Sequence, residues 1–476
     1  MPTAATETLD HHEPAVSAGI TIINPRTGET LWTVPETPPE AVHHAVHVAR
    51  GAAAGWAATA PAARGAAVRA AAAALAEAAA ELAGLNASET GRPIDEALAG
   101  IAAGVSTLEQ YAELGPVHRG HSLRGDRLAS DYTVAEPRGV AVLLTPWNDP
   151  VAVSCGLIGA ALMSGNTVIH KPSERCPRLG EALGEVLAPA FPAGVLATIS
   201  GGAGVGRLLT GSGVDVLAHV GSSAAGAGIA VAGARAGAHV IRENGGNDPL
   251  LVDRDVDPAW AAGQAAVGAF SNSGQICTAV ERIYVHADIA ERFCAALEAE
   301  AALRNANGSV APLVDRRLRE AVHAQVADAL DHGARAAEGG AVPAGPGSFY
   351  PATVLLGCTE AMAVMAEETF GPVAPVQVVD TFDDGLRLAC SGRFGLAATV
   401  LTNSVAHIQQ AVADLPVGTV KINAVFGGAP GGAAQPRGGS GHGFGYGPEL
   451  LDEFSQVKVV HIAAPPAPSG NAEEKV

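Results

Sequence analysis

From residue 137 to about 423 the chain alternates short apolar strands with intervening helices. Strands joined through helices must lie side by side in parallel, because a parallel neighbour is reached only by a crossover. The expected strands of the first set are 139–144, 167–170, 195–200, 214–220 and 239–242, with helices at 151–163, 178–187, 205–210 and 223–236. A second set follows at 250–252, 282–285, 350–356, 374–379, 397–401 and 419–422. Two α/β lobes are therefore expected. The segments around Glu243 and Cys277 fall near their junction, and open α/β sheets bind ligands at the carboxyl ends of their strands.

A length of 476 residues fits two or three lobes rather than one small core. Residues 1–18 read as a flexible tail and 20–25 as a short strand ending at a turn. From 39 to about 85 the chain is Ala-rich with helical spacing, stopping at Asn86-Ala87-Ser88-Glu89-Thr90-Gly91-Arg92-Pro93, and a further helix spans 95–114. After the glycine-rich 427–447 come 450–455 and a final strand, 457–462. That strand has an unpaired edge unless it meets another subunit. The 463–476 tail is Pro-rich and charged, which suits disorder.

A formal charge of −19 disfavours nucleic acid and anionic membranes as partners. The six cysteines are scattered, without CxxC or Cys/His ligand spacing, so neither a disulfide framework nor a metal site is expected. No apolar run reaches the ~18 residues of a membrane span. A cytoplasmic setting is the expectation.

Cys277 stands in Phe270-Ser271-Asn272-Ser273-Gly274-Gln275-Ile276-Cys277-Thr278, and Glu243 in Glu243-Asn244-Gly245-Gly246. A thiol and a carboxylate on glycine-containing turns suit covalent chemistry on a carbonyl, the thiolate attacking and the carboxylate activating water. A lone cysteine is more often a small buried hydrophobe. Thr145-Pro146-Trp147-Asn148 closes a strand, and the Asn148 amide could donate to a developing oxyanion beside the Cys277 N–H. An ordinary cap on the next helix is the other reading.

Lys171 and Glu174, in His170-Lys171-Pro172-Ser173-Glu174, follow a strand where they could hold the ribose hydroxyls of an adenosine. A solvated charge pair is the alternative. Gly221-Ser222 opens a helix whose backbone N–H groups could approach a pyrophosphate, and Gly202 and Gly206 sit in an equally permissive stretch. Both also fit ordinary turns. In Glu367-Glu368-Thr369-Phe370-Gly371-Pro372 one carboxylate could hold a second ribose with Phe370 against the nicotinamide, unless this is a surface acidic turn.

Together, Pro146-Trp147-Asn148, Lys171-Pro172-Ser173-Glu174, Gly221-Ser222, Glu243-x-Gly245-Gly246, Gly274-Gln275-x-Cys277-Thr278 and Glu368-Thr369-Phe370-Gly371-Pro372 resemble the aldehyde dehydrogenase superfamily in order and spacing. The resemblance covers about residues 20 to 462. It implies an α/β fold with a Rossmann-type coenzyme domain, an α/β catalytic domain and a small β oligomerisation flap. These would be 19–117 with 137–244, then 245–440, and 118–136 with 441–465, between tails at 1–18 and 466–476. Within the flap, 118–136 would meet the strand at 456–463. It implies a homodimer or homotetramer with a small-molecule aldehyde as substrate and NAD, or NADP, as coenzyme.

Carried over by position, Cys277 becomes the nucleophile, Glu243 the base for deacylation and Asn148 the oxyanion donor. Thr145, Pro146, Trp147, Lys171, Ser173, Glu174, Gly202, Gly206, Gly221 and Ser222 become coenzyme contacts, with Asn244, Gly245, Glu368 and Phe370 at the nicotinamide end. Departures bear on substrate: Asp149 and Gly156 stand where many members carry aromatics, and Pro436-Arg437-Gly438-Gly439 replaces Pro-aromatic-Gly-Gly. Asn244 stands in place of the usual Leu. A less aromatic, more polar channel is expected, lined by Asp149, Ile276, Thr278 and Arg437. Arg437 would either hold a substrate carboxylate or pair with Asp149. Ile276 and Ser271 replace arginines of members acting on phosphorylated aldehydes and succinate semialdehyde, which disfavours both classes. Acyl transfer to coenzyme A is a sibling reading, disfavoured by Glu243; an idle derivative of the fold is another.

Overall fold

The computed structural model describes residues 19–427, 435–463 and 465. The expected tails at 1–18 and 466–476 lie outside the described residues, as does 428–434 of the glycine-rich stretch.

The first sheet has six strands in the spatial order Gly441–His442, His239–Asn244, Val216–Gly221, Val140–Leu144, Thr167–Lys171, Leu196–Thr198. Every pair is parallel except the first, where the two-residue Gly441–His442 runs antiparallel. Val140–Leu144 and Thr167–Lys171 are buried at every position, as a parallel sheet covered on both faces requires. Leu108, Tyr111, Leu157 and Leu183 pack one face; Val42, Val46, Val205 and Leu209 pack the other. The chain lays strands outward from Val140–Leu144 and then returns to start again at Val216–Gly221. That reversal opens a crevice at their carboxyl ends, where Thr145–Asn148 and Gly221-Ser222 lie.

The second sheet runs Arg335–Glu338, Thr353–Leu356, Val373–Val379, Val280–His286, Asp248–Val252, Ala397–Leu401, Thr419–Ile422. Only Arg335–Glu338 is antiparallel among these described strands. It was not expected from sequence, because Arg335 and Glu338 interrupt any apolar run. Phe293 and Leu297 cover one face and Val322 and Val326 the other.

Only Gly245-Gly246-Asn247 separates the last parallel strand of the first sheet from Asp248–Val252 of the second. The carboxyl end of one sheet thus faces the amino end of the other. Cys277 precedes Val280–His286, at the amino edge of its sheet. The carboxyl-end expectation therefore applies to the first sheet and not to the second.

A three-stranded antiparallel sheet joins Ser455–Ala463, Ala129–Pro137 and Ser122–Leu123. Residues 441–454, expected with the flap, pack on the first sheet instead. Gly441 pairs with Glu243, Asn166 Nδ2 donates to Phe454 O at 2.9 Å, and His239 Nε2 meets Glu453 Oε2 at 2.6 Å.

The Ala-rich 39–85 stretch is three helices, Pro39–Ala57, Pro61–Glu77 and Ala79–Thr90. Pro61 opens a new helix because its missing N–H falls where no intrahelical partner exists. Alanine packs on every side, so composition alone does not mark these breaks.

Candidate active site

The cysteine loop is built by backbone that few residues tolerate. Asn272, Ser273 and Gly274 all have positive φ (46°, 56° and 73°), which turns the chain out of helix Pro258–Phe270 within three residues. A Cβ on Gly274 would lie 2.1 Å from Gly371 O. Gly274→Ala is thus expected to cost about 2–4 kcal/mol from left-handed strain and overpacking, read as a lowered thermal unfolding midpoint; an unchanged midpoint would refute the close approach. Gln275 is buried and ties the loop down: its Oε1 accepts from Val314 N at 2.9 Å, and its Nε2 donates to Asn272 O at 2.9 Å. The tether through Gln275 is absent from any local pattern, since Val314 is far along the chain.

Asn148 reaches this loop from the first sheet. Its Nδ2 donates to Gln275 O at 3.1 Å, and Asn272 Nδ2 donates to the same oxygen at 3.3 Å. The amide that sequence also allowed as a helix cap is not one: Asp149 occupies the cap of helix Pro150–Met163, without a side-chain cap bond. Asp149 does not pair with Arg437. Its Oδ1 accepts from Arg92 Nη1 at 2.8 Å, whereas Arg437 lies exposed in the two-residue strand Arg437–Gly438 against Phe394–Gly395. Sequence placed two candidate charges in one channel; the partner came from the Glu89–Pro93 turn.

Glu243 is half-buried at the end of its strand, yet its carboxyl is enclosed. A Cβ on Gly445 would fall 2.4 to 2.6 Å from the Glu243 carboxyl atoms, so any larger residue there would displace the carboxyl. Burial pushes this carboxyl up to about 7. Cys277 is half-buried. Burial raises its thiol well above the ordinary range, and the carboxylates of Glu243, Asp248 and Glu368 add to this, with the Lys421 ammonium opposing. The thiolate needed for attack is therefore disfavoured in the free protein. Lys421, whose Nζ donates to Val425 O at 2.8 Å, was missed by motif reading. Ile276 and Thr278 flank Cys277, both half-buried.

The other candidates gather around the first sheet's crevice. Thr145 Oγ1 bonds buried His170 Nε2 at 2.9 Å, and Pro146 beside it is buried. Lys171 ends its strand with Nζ donating to Pro172 O at 3.0 Å; Glu174 draws its pKa upward while burial, the larger influence, lowers it. Ser173 Oγ accepts from Arg175 N at 3.2 Å. Gly202 caps helix Ala203–Thr210 and its N–H donates to Glu36 Oε1 at 3.1 Å. Gly206 on that helix faces the Lys171 stem, 3.9 Å from an ideal Cβ. Glu36, from before the first helix, joins this group without any sequence signal. Gly221 packs against the His219 ring, and Ser222 caps helix Ser223–Ala236, accepting from Ala225 N.

Trp147 and Phe370 come from different sheets and meet edge to face, centroids 5.5 Å apart, with Arg175 over the Trp147 ring. Phe370 has φ 53°, held by buried Glu281, whose carboxylate accepts from Thr369 N at 2.7 Å and Phe370 N at 2.8 Å. Glu281, also missed, therefore sets the position of Phe370. Glu368 lies over the glycine link: it accepts from Gly246 N at 3.2 Å, and a Cβ on Gly245 would sit 1.9 Å from its Oε1. Asn244 is buried; its Nδ2 donates to Gly439 O at 3.2 Å and its N–H to Ser440 O at 2.8 Å.

The expected loss of aromatic surface at Gly156 is offset from elsewhere. Tyr446 lays its ring 3.7 Å from an ideal Gly156 Cβ, and its hydroxyl bonds Thr107 Oγ1 at 2.8 Å. Tyr446 follows Gly445, the glycine that packs against the Glu243 carboxyl.

A crevice of parallel strands thus lies beside a half-buried thiol and a carboxyl raised by burial, on an α/β fold. The aldehyde dehydrogenase family model matches residues 12–460. Betaine aldehyde dehydrogenase of Cereibacter sphaeroides is 35% identical over 396 residues, 80% of this chain and 81% of that one. Succinate-semialdehyde dehydrogenase from Burkholderia pseudomallei superposes with a TM-score of 0.90 at 30% identity, covering 94% and 95% of the two chains. Betaine aldehyde dehydrogenase from Staphylococcus aureus, solved in complex with NAD+, superposes at 0.91 with 28% identity, covering 95% and 93%. The chain belongs to the aldehyde dehydrogenase family and is an oxidoreductase acting on the aldehyde group.

Proposed function

We propose that this enzyme oxidises an aldehyde to the carboxylic acid through a thioester on Cys277, with Glu243 as the base that releases it. The observation that supports this reading is the bond from Asn148 Nδ2 to Gln275 O, which brings a side-chain amide from the first sheet to the loop that carries Cys277. The Cys277 thiol gives up its proton to water, the thiolate Sγ attacks the carbonyl carbon, and the resulting oxyanion is met by Asn148 Nδ2 and the Cys277 N–H. A bound NAD(P)+, its nicotinamide end held by Glu368 and Phe370, would supply the acceptor for the hydride lost from this carbon. Glu243 then takes a proton from water as its oxygen attacks the thioester, and the cysteine sulfur departs.

The chain's residues fit that coenzyme. Ser223 Oγ, at the first position of its helix, is buried without a hydrogen-bond partner among the described residues, which suits a phosphate oxygen at a helix amino terminus. Lys171 with Glu174 would hold the adenosine ribose, and the Glu174 charge opposes a 2′-phosphate, favouring NAD over NADP. Glu368 and Phe370 would serve the nicotinamide end.

The assembly is proposed to be a homo-oligomer. Val457, Val459 and Ile462 on Ser455–Ala463 are 70%, 68% and 54% exposed on a strand whose outer edge has no partner among the described residues. A second copy would cover that edge. No helix among the described residues is long and apolar enough to cross a membrane.

The test is absorbance at the NADH band over aliphatic, aromatic, amino and carboxylated aldehydes, each with NAD+ and NADP+, with and without coenzyme A. NADH formation with an unassisted carboxylic acid product is expected; a strict requirement for coenzyme A would overturn the hydrolytic reading. Loss of any preference for carboxylated aldehydes in Arg437→Ala would place an anion at Arg437.

A further inference from the structure

We infer that Arg92 is a positioning residue for the oxyanion donor, fixing the backbone of Asn148 through its carbonyl oxygen. The inference rests on the proposed role of Asn148. A single guanidinium nitrogen, Arg92 Nη1, donates to Asn148 O at 2.9 Å and to Asp149 Oδ1 at 2.8 Å. The Asn148 carbonyl lies between a strand and a helix, outside the ladder of either. Arg92 is thus its partner, and Asp149 holds the guanidinium in place. The arginine side chain is 13% exposed, so water competes weakly for these bonds. Beyond Asp149, the facing charge is Glu96 Oε2, 3.8 Å from Arg92 Nε.

The turn that carries Arg92 is itself anchored. Gly91 has φ 77°, and a Cβ there would lie 2.6 Å from the Pro312 ring and 3.2 Å from Pro25. Arg26 Nη2 donates to Gly91 O at 2.9 Å. Pro312 in turn offers its carbonyl to Gln275 Nε2 at 3.4 Å. The turn therefore wedges against the same proline that steadies the cysteine loop. Asn148 is held twice on one frame, its backbone by Arg92 and its amide by Gln275 O. An amide that must meet a transient charge gains from this fixation, because a displacement of about 1 Å can cost about 10²-fold in rate.

Gly100 supplies an independent handle. A Cβ there would fall 2.7 Å from Asp149 Oδ1, so Gly100→Ala disturbs the anchor of Arg92 while leaving Arg92 and Asn148 chemically intact.

The experiment is a double-mutant cycle on the full-length enzyme with the best aldehyde of the panel. Arg92→Gln is expected to lower kcat by about 10²-fold with the coenzyme KM held, and Gly100→Ala to lower it in the same sense. Arg92→Lys should recover much of the rate, since an ammonium can also donate to two oxygens. In the Asn148→Ala background, Arg92→Gln should cost less than about twofold, because residues acting through one interaction are not additive. Wild-type kcat in Arg92→Gln and Gly100→Ala overturns the inference, and so does an undiminished Arg92→Gln loss in the Asn148→Ala background, which marks a merely structural role. Wild-type rate in Asn148→Ala would instead sink the proposed function, a distinguishable result.

Discussion

Cys277→Ala is expected to abolish coenzyme reduction with every aldehyde, a loss of at least about 10⁴-fold, because no covalent intermediate can form. The substitution removes one half-buried sulfur from a loop fixed by Gln275 and Asn272, so the thermal midpoint should barely move. Turnover retained in this variant would remove the thioester assignment. The raised thiol adds a second readout on the unaltered protein. Iodoacetamide should alkylate Cys277 slowly at neutral pH and faster as pH rises, since the thiolate is the nucleophile and burial with three carboxylates disfavours it. Lys421→Gln should slow alkylation further, because the opposing positive charge is lost.

Glu243→Gln is expected to separate the two halves of the reaction. Acylation needs no base for water, so one equivalent of NADH per site should appear as a burst, with steady turnover reduced by about 10²–10⁴-fold. Absence of a burst, or an unaltered steady rate, would take the deacylating role from Glu243. Burial pushes its carboxyl up to about 7, and a base works only when ionised. Where deacylation limits turnover, the rate should therefore fall about tenfold per pH unit below that value and level off above it. The stability sign runs the other way. A carboxyl raised by burial is protonated in the folded chain while the unfolded chain is already ionised, so between the unfolded value near 4.5 and about 7 its contribution to stability declines as pH rises.

Parallel sheets were legible in the sequence because a strand buried on both faces shows as an unbroken apolar run. The strands Ala397–Leu401 and Thr419–Ile422 and the helix Ser223–Ala236 fall where the pattern put them. Arg335–Glu338 did not show, since an antiparallel edge strand tolerates charge. The helices within 39–85 merged because alanine carries too little hydrophobic contrast to reveal a period or a break.

For the site, residues on local motifs could be found, while those acting across the chain could not. Glu36 reaches Gly202, Glu281 holds Phe370, and Arg92 meets Asp149 where Arg437 had been offered. Each is a contact between segments distant in sequence, so no spacing rule announces it. Tyr446 is the instructive case: the space left at Gly156 is visible in sequence, but the ring that enters it comes from the far end of the chain.

The three-residue link between the sheets has a consequence for how activity reports on assembly. Glu243 belongs to the last parallel strand of one sheet, and Cys277 precedes a strand of the other. A chain severed within Gly245–Asn247 would leave the proposed base and the proposed nucleophile on different fragments. Neither fragment alone could complete turnover, and recovered turnover on mixing would count reassembled molecules directly. The enzyme's own chemistry is thus a built-in gauge of whether its two halves have found each other.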